Sequence, residues 1–322
     1  MTLGRGSRPW LRRFLQVALT VAVTWLVVNR VGVTLDDAFS IRPAVPNPSV
    51  LLLAISVAIL LSGFIASAWL WGHMALELGG RAPGLINATR IVFSANLGRY
   101  LPGRLWQIAG LVVLSGRDGM SRTVAGTAGV LGQAFALAAV GVLAAPVLMG
   151  VGRTGLEGGV AVLGALVLFV VLASIPGVLG SFLSLAFRIA RMSLEKQPEV
   201  GRFFGLRWLG WYLLNWTIYG IAFALFVHGL GFSVGGLTLV SSFAAAYLLG
   251  YLAVFTPAGL GVREGFLIVF LRPELAGAAV GVALLTRLWM TTVELLPAGG
   301  FALWEIIRTG QRHEIGSRSG KL

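Results

Sequence analysis

Asn96-Leu97-Gly98-Arg99-Tyr100-Leu101-Pro102-Gly103-Arg104-Leu105-Trp106-Gln107 breaks an apolar stretch in the first half of a 322-residue chain. Phe255-Thr256-Pro257-Ala258-Gly259-Leu260-Gly261-Val262-Arg263-Glu264-Gly265 breaks another in the second half. Pro257 follows Pro102 by 155 residues, close to half the chain length. A bilayer tolerates irregular backbone only where protein or a water-lined cavity satisfies its polar groups. Matched interruptions in two halves of a membrane protein therefore point to a binding site between repeats.

The composition around these breaks is that of a polytopic membrane protein. Hydrophobic residues make up 57% of the chain and charged residues 11%, about half the charged fraction of a soluble domain. Cysteine is absent, so disulfides, thiolate metal sites and cysteine nucleophiles are excluded. Three histidines, His73, His228 and His313, lie far apart in sequence and predict no metal site. No Gly-x-x-x-x-Gly-Lys-Ser/Thr loop occurs. We expect no cofactor and no direct use of ATP.

A net charge of +13 is compatible with nucleic acid, but the bases cluster at segment ends and not on an aromatic-interleaved surface. The positive-inside rule accounts for them. Arg5, Arg8, Arg12 and Arg13 precede the first apolar run and predict a cytoplasmic N-terminus over 1–13. Spans are expected at about 14–33, 49–72, 123–149, 158–187, 207–230 and 276–307, each reaching the ~20 residues needed to cross. Bases then alternate between loops. Arg42 and Arg153 are alone outside, whereas Arg81, Arg90, Arg117 and Arg122, then Arg188, Arg191, Lys196 and Arg202, lie inside. The basic tail at 309–322 is also expected inside.

Two apolar stretches, 85–114 and 236–272, contain the breaks. Read as re-entrant broken hairpins, they complete two membrane repeats, 14–150 and 151–308, of opposite orientation. The expected fold is all-α, with about six spanning helices plus two such hairpins in an inverted repeat. An alternative count makes 236–256, 264–285 and 287–307 three spans, giving eight with the same parity.

The Gly-Arg-Tyr-Leu-Pro-Gly run at 98–103 and the Pro-Ala-Gly-Leu-Gly-Val-Arg-Glu-Gly run at 257–265 resemble the two signature loops of the lysylphosphatidylglycerol synthase transmembrane region, or flippase-like, family. The similarity extends from about residue 12 to 308. It implies a bacterial or archaeal inner-membrane protein that moves, or helps to move, a lipid or lipid-linked molecule between leaflets. In the multiple peptide resistance factors of that family this region precedes a soluble aminoacyl-transferase domain. Lipid aminoacylation is not expected from this chain alone.

Arg99 and Arg104 flank the first break, and an arginine at membrane depth costs at least about 2.5–3.5 kcal/mol unless partnered or used. Guanidinium geometry suits a phosphate or phosphodiester, and interface anchoring is the competing role. Tyr100 and Trp106 fit either, and Gln107 adds a polar group beside them. Pro102, Gly103, Pro257, Gly259 and Gly261 open the backbone. Arg263 and Glu264 are adjacent and so point to different partners. Arg287 and Glu294, seven residues apart, share a helical face and are candidates for bridges to Glu264 or Arg263. All of these are candidate substrate-binding residues.

Gln133, Asn215 and Tyr219 are read first as helix–helix contacts. His73 and Glu77 read as a solvated helix end, and Asp36-Asp37 as a helix start. The leading expectation is a lipid flippase or lipid-linked transporter for an anionic or polar headgroup, and not an enzyme. The alternatives are a membrane-embedded glycosyl- or phosphoryl-transferase on polyprenyl-phosphate carriers, or a non-catalytic subunit of a lipid-modifying complex. Expected partners are membrane lipid, with no nucleic acid, and a second copy or a lipid-modifying enzyme.

Overall fold

The computed structural model describes residues 48–81, 83–100, 105–150, 164, 181, 201, 203–253, 259 and 261–319; at Tyr100, Leu105, Ala302 and 305–319 only the backbone is described. The expected first span, Asp36-Asp37 and nearly all of the expected 158–187 span lie outside these residues. Among the described residues the chain is helical, with no strand. In order come α1 (Val50–Glu77), α2 (Leu85–Asn96), a 3-10 turn (Leu97–Tyr100), α3 (Leu105–Arg117), α4 (Arg122–Gly150), α5 (Phe204–Gly229), α6 (Gly236–Leu252), α7 (Val262–Leu275) and α8 (Ala278–Ser319).

Length separates two kinds of helix. α1, α4, α5 and the 278–301 part of α8 have 28, 29, 26 and 24 residues and are long and apolar enough to cross a membrane. At 1.5 Å per residue, 24 residues already reach about 36 Å. The arms at the breaks have 12, 13, 17 and 14 residues in α2, α3, α6 and α7. Even the longest reaches only about 26 Å, short of the ~30 Å hydrocarbon core.

The surface confirms the solvent these helices are built for. Large apolar side chains such as Ile86, Leu214, Leu288 and Leu296 stand outward, whereas Asn96, Asn215 and Glu294 are buried. Polar residues inside and leucines outside is the pattern of a bundle in lipid. The packed interior is aromatic, with Phe93, Phe135, Phe223 and Phe243 almost fully enclosed.

α1 and α5 run antiparallel and are joined at both ends. Ser49 N donates to Gly229 O at one end at 2.9 Å. At the other, Arg207 and Trp208 of α5 bond to the two oxygens of Glu77. Glu77 is thus a bridge between helices and not the free solvated end expected from sequence; its neighbour His73 is exposed, its ring tilted against Trp69 with centroids 3.9 Å apart. Midway, Gly63 faces the Tyr219 ring closely, and Asn215 and Tyr219 both bond Ser67. These two residues do act as helix–helix contacts.

α7 ends at Ala276 (φ 47°) and Gly277, and α8 then runs through Thr286, whose Oγ1 donates to Val282 O. The helix boundary near 286 required by the eight-span count is not found. Pro297 sits inside α8.

Candidate functional site

Each break is closed by glycine. In the first, a Cβ on Gly98 would come within 2.7 Å of the Trp106 carbonyl, and one on Gly110 within 3.0 Å of Ala95. Only hydrogen at these positions lets α3 fold back onto α2 and the 3-10 turn. Gln107 Nε2 donates to Asn96 Oδ1 across the same gap at 2.7 Å, and Arg90 bridges to Asp118 at the base of the hairpin at 2.6 Å. The turn that results holds Arg99.

In the second break, Gly259 and Gly261 have φ of 70° and 79°, a region L side chains avoid. A Cβ on Gly259 would meet the Gly250 carbonyl at 2.9 Å, and one on Gly250 would meet Arg263 Cβ at 2.7 Å. Arg263 and Glu264 therefore enter the bundle on the first turn of α7. Glu264 has two tasks: its Oε2 accepts from Gly261 N at 2.8 Å, capping the helix, and its Oε1 lies 3.3 Å from Arg287 Nη1.

On α8, Arg287, Met290, Thr291 and Glu294 fall at spacings of three, four and seven, so they share one face. Glu294 Oε1 lies 3.1 Å from Arg99 Nη2, with the Glu294 side chain only 4% exposed. This pair joins the first break to the last helix. Arg263 behaves differently. Its Nη2 reaches Met290 Sδ at 2.6 Å, and its guanidinium stands 5.1 Å from the Phe243 ring and 5.5 Å from the Tyr247 ring, within cation–π range. No carboxylate among the described residues lies within ion-pair distance of it.

These groups line a cavity of about 80 Å³ between the breaks, whose wall includes Arg99, Arg263, Arg287, Glu294, Gln107 and Gln133. Among the described residues three cations face it against one carboxylate, with Glu264 standing behind Arg287. A water needs about 10–15 Å³ of such space, so several waters or one phosphate-sized group fit. A second chamber of about 120 Å³ adjoins it and shares Arg99, Gln107, Gln133, Tyr247 and Met290.

Of the residues predicted from sequence, Arg99, Gln107, Arg263, Arg287, Glu294 and Gly259 converge on the cavity, with Glu264 and Gly261 supporting it from behind. Trp106 does not join them: it is 53% exposed on the outer surface, in keeping with an interfacial tryptophan. Pro102, Gly103, Arg104 and Pro257 lie outside the described residues, as does the side chain of Tyr100. Tyr247, Tyr251 and Met290 also line the cavity and were not foreseen. The Tyr247-x-x-Gly250-Tyr251 spacing, two tyrosines one turn apart flanking a glycine, is the signal that could have found them.

Short broken arms between full-length apolar helices, closing on an ionised cavity, define a multi-pass membrane protein with a polar site enclosed in its bundle. The family model described as the lysylphosphatidylglycerol synthase TM region matches residues 13–298, and the chain belongs to that family. Membership connects the protein to membrane lipids. Comparison with curated protein sequences finds no match.

Proposed function

We propose that the protein is a lipid flippase or lipid-linked transporter that takes an anionic headgroup into the cavity between the two breaks. The observation that carries this reading is Arg263. It stands on the cavity wall with aromatic rings and a thioether for neighbours and without a carboxylate in reach among the described residues. A cation so placed in an apolar bundle is costly until an anion joins it, and a phosphate or phosphodiester matches its fork. Arg99 and Arg287 stand on the same wall with carboxylates already bound, so an entering phosphate competes with Glu294 and Glu264 for them.

The arrangement of elements supports an inverted repeat of re-entrant hairpins. α4 packs on α6, an arm of the second hairpin, while its counterpart α8 packs on α2, an arm of the first; the counterparts α1 and α5 pack on each other. Such an exchange of partners is what a pseudo-two-fold axis in the membrane plane produces. Rocking of the repeats would then expose the cavity to each leaflet in turn. In this reading six helices cross, both termini are cytoplasmic, and the membrane is the cytoplasmic one of a bacterium or archaeon.

The test is movement without chemistry. The purified full chain, reconstituted in phosphatidylcholine vesicles with a trace of acyl-chain-labelled anionic phospholipid, should speed exchange between leaflets and leave the lipid's mass unchanged. Arg263→Gln should slow it about ten- to a hundredfold, the loss of one charge-assisted contact. Exchange no faster than in protein-free vesicles overturns the proposal, and a new covalent lipid product favours a transferase instead.

A further inference from the structure

The second chamber differs chemically from the first. Among its described lining residues Arg99, shared with the first cavity, is the one charged group, and no carboxylate is present. The rest of its polarity is neutral: Ser67, Asn96, Gln133 and Asn215 set among aromatic rings, with Trp216 and Tyr247 packed 4.4 Å apart. Its volume of about 120 Å³ holds about four waters at the ~30 Å³ that each occupies in the liquid, room for a small hydroxylated group.

Asn215 is the informative residue. It is 3% exposed, and while its Nδ2 donates to Ser67 Oγ at 2.8 Å, its Oδ1 meets no donor among the described residues. Turning the amide over exchanges which end is satisfied and still leaves one end open. A hydroxyl can donate or accept, so it satisfies the open end in either orientation. Rings, amides and hydroxyls without counter-charge suit a polyol, whose C–H faces lie on aromatic carbon while its hydroxyls bond the amides. They do not suit an ammonium group, which would find no carboxylate among the described residues of this chamber.

We propose that the second chamber is the subsite for a neutral hydroxylated part of the headgroup, a glycosyl or cyclitol group joined to the phosphate held at Arg263. The inference rests on the transport reading above and deepens it, because it names the substrate class as phosphodiester lipids bearing a sugar or polyol. Arg99 marks the junction, since it lines both chambers. The phosphodiester sits on the arginine side and the polyol extends toward Asn215.

Binding to the full chain in nanodiscs tests this with three short-chain probes. Dihexanoyl phosphatidylinositol carries phosphodiester and polyol, dihexanoyl phosphatidylmethanol the same phosphodiester and charge without the polyol, and dihexanoyl glucosyl-glycerol a sugar without phosphate. The inositol lipid should bind the parent at least about tenfold more tightly than the methyl lipid, the yield of one or two net hydrogen bonds. In Asn215→Leu that ratio should fall toward one, and in Gln133→Met it should fall in part. The parent comparison needs no variant and stands even if one fails to fold. Equal, Arg263-dependent binding of the inositol and methyl lipids overturns the polyol subsite while leaving the transport reading intact. Glucosyl-glycerol binding as tight as the inositol lipid overturns the phosphodiester substrate class and the anionic transport reading with it, and no binding of any probe overturns both proposals.

Discussion

At the residue scale, the pair Arg99–Glu294 sets the energetics of the site. Glu294 is almost fully enclosed, whereas Arg99 is 24% exposed, so removing either partner has unequal consequences. Arg99→Gln strands a buried carboxylate and should destabilise the protein by about 3–5 kcal/mol. Glu294→Gln leaves a cation that can reach toward water and should cost less. The double variant should recover much of the loss of Arg99→Gln, because no charge is then left uncompensated. Thermal unfolding of the four proteins in one detergent checks this, and an additive double variant would show that the two residues do not form a functional pair. Arg263→Gln is expected to behave in the opposite sense. It removes a cation that has no carboxylate partner among the described residues, so folding should be little changed while anionic lipid binding falls.

At the scale of the elements, the two hairpins owe their closure to hydrogen atoms at a few α-carbons. Gly98→Ala places a methyl group against the Trp106 carbonyl, and neither is the end of a flexible side chain. The arms must part, at about 1–3 kcal/mol. Gly84→Ala, at a helix entry with nothing within 4 Å of the new carbon, should be nearly neutral. Melting midpoints that drop for Gly98→Ala and hold for Gly84→Ala would bear this out; equal midpoints would reject it. These breaks were legible in the sequence because proline, glycine and arginine in an apolar run have few physical readings. The four long helices were legible through their length. Glu77 was not, because its partners Arg207 and Trp208 lie about 130 residues away and no local pattern announces them. The cavity's arginines were foreseen as a group from cost alone. A bridge from Arg287 to Glu264 was among the candidates the sequence offered; the pairing of Arg99 with Glu294 was not, since several long-range combinations satisfied the same charges. Tyr247 and Tyr251 went unread because an aromatic residue in a membrane helix has packing as its ordinary role.

At the scale of the whole molecule, the sidedness of the hairpins decides whether two repeats can share one cavity. The C-terminus of α1 and the N-terminus of α5 meet at Glu77, and Arg90–Asp118 ties the base of the first hairpin. Arg81 follows α1, Arg117 ends α3 and Arg122 begins α4, and the proposed topology takes them as cytoplasmic by the positive-inside rule. In that topology Ser49 and Gly229, bonded to each other, mark the outer face, from which α6 begins within seven residues. In the proposed topology the second hairpin enters from outside and returns there before α8 crosses. Because the chain contains no cysteine, single introduced cysteines report position without background. Those at Pro48 and Glu274 should label with an impermeant thiol reagent from outside, and those at Arg81 and Arg117 only after permeabilisation. Under an eight-span arrangement Glu274 would lie within the bilayer and resist labelling, and a cysteine at Ala258, in the same break, would label from the cytoplasm alone. External labelling at Glu274 together with slow labelling at Ala258 by small reagents would support a re-entrant second hairpin. Cytoplasmic-only access at Ala258 would remove the inverted repeat and, with it, the alternating cavity.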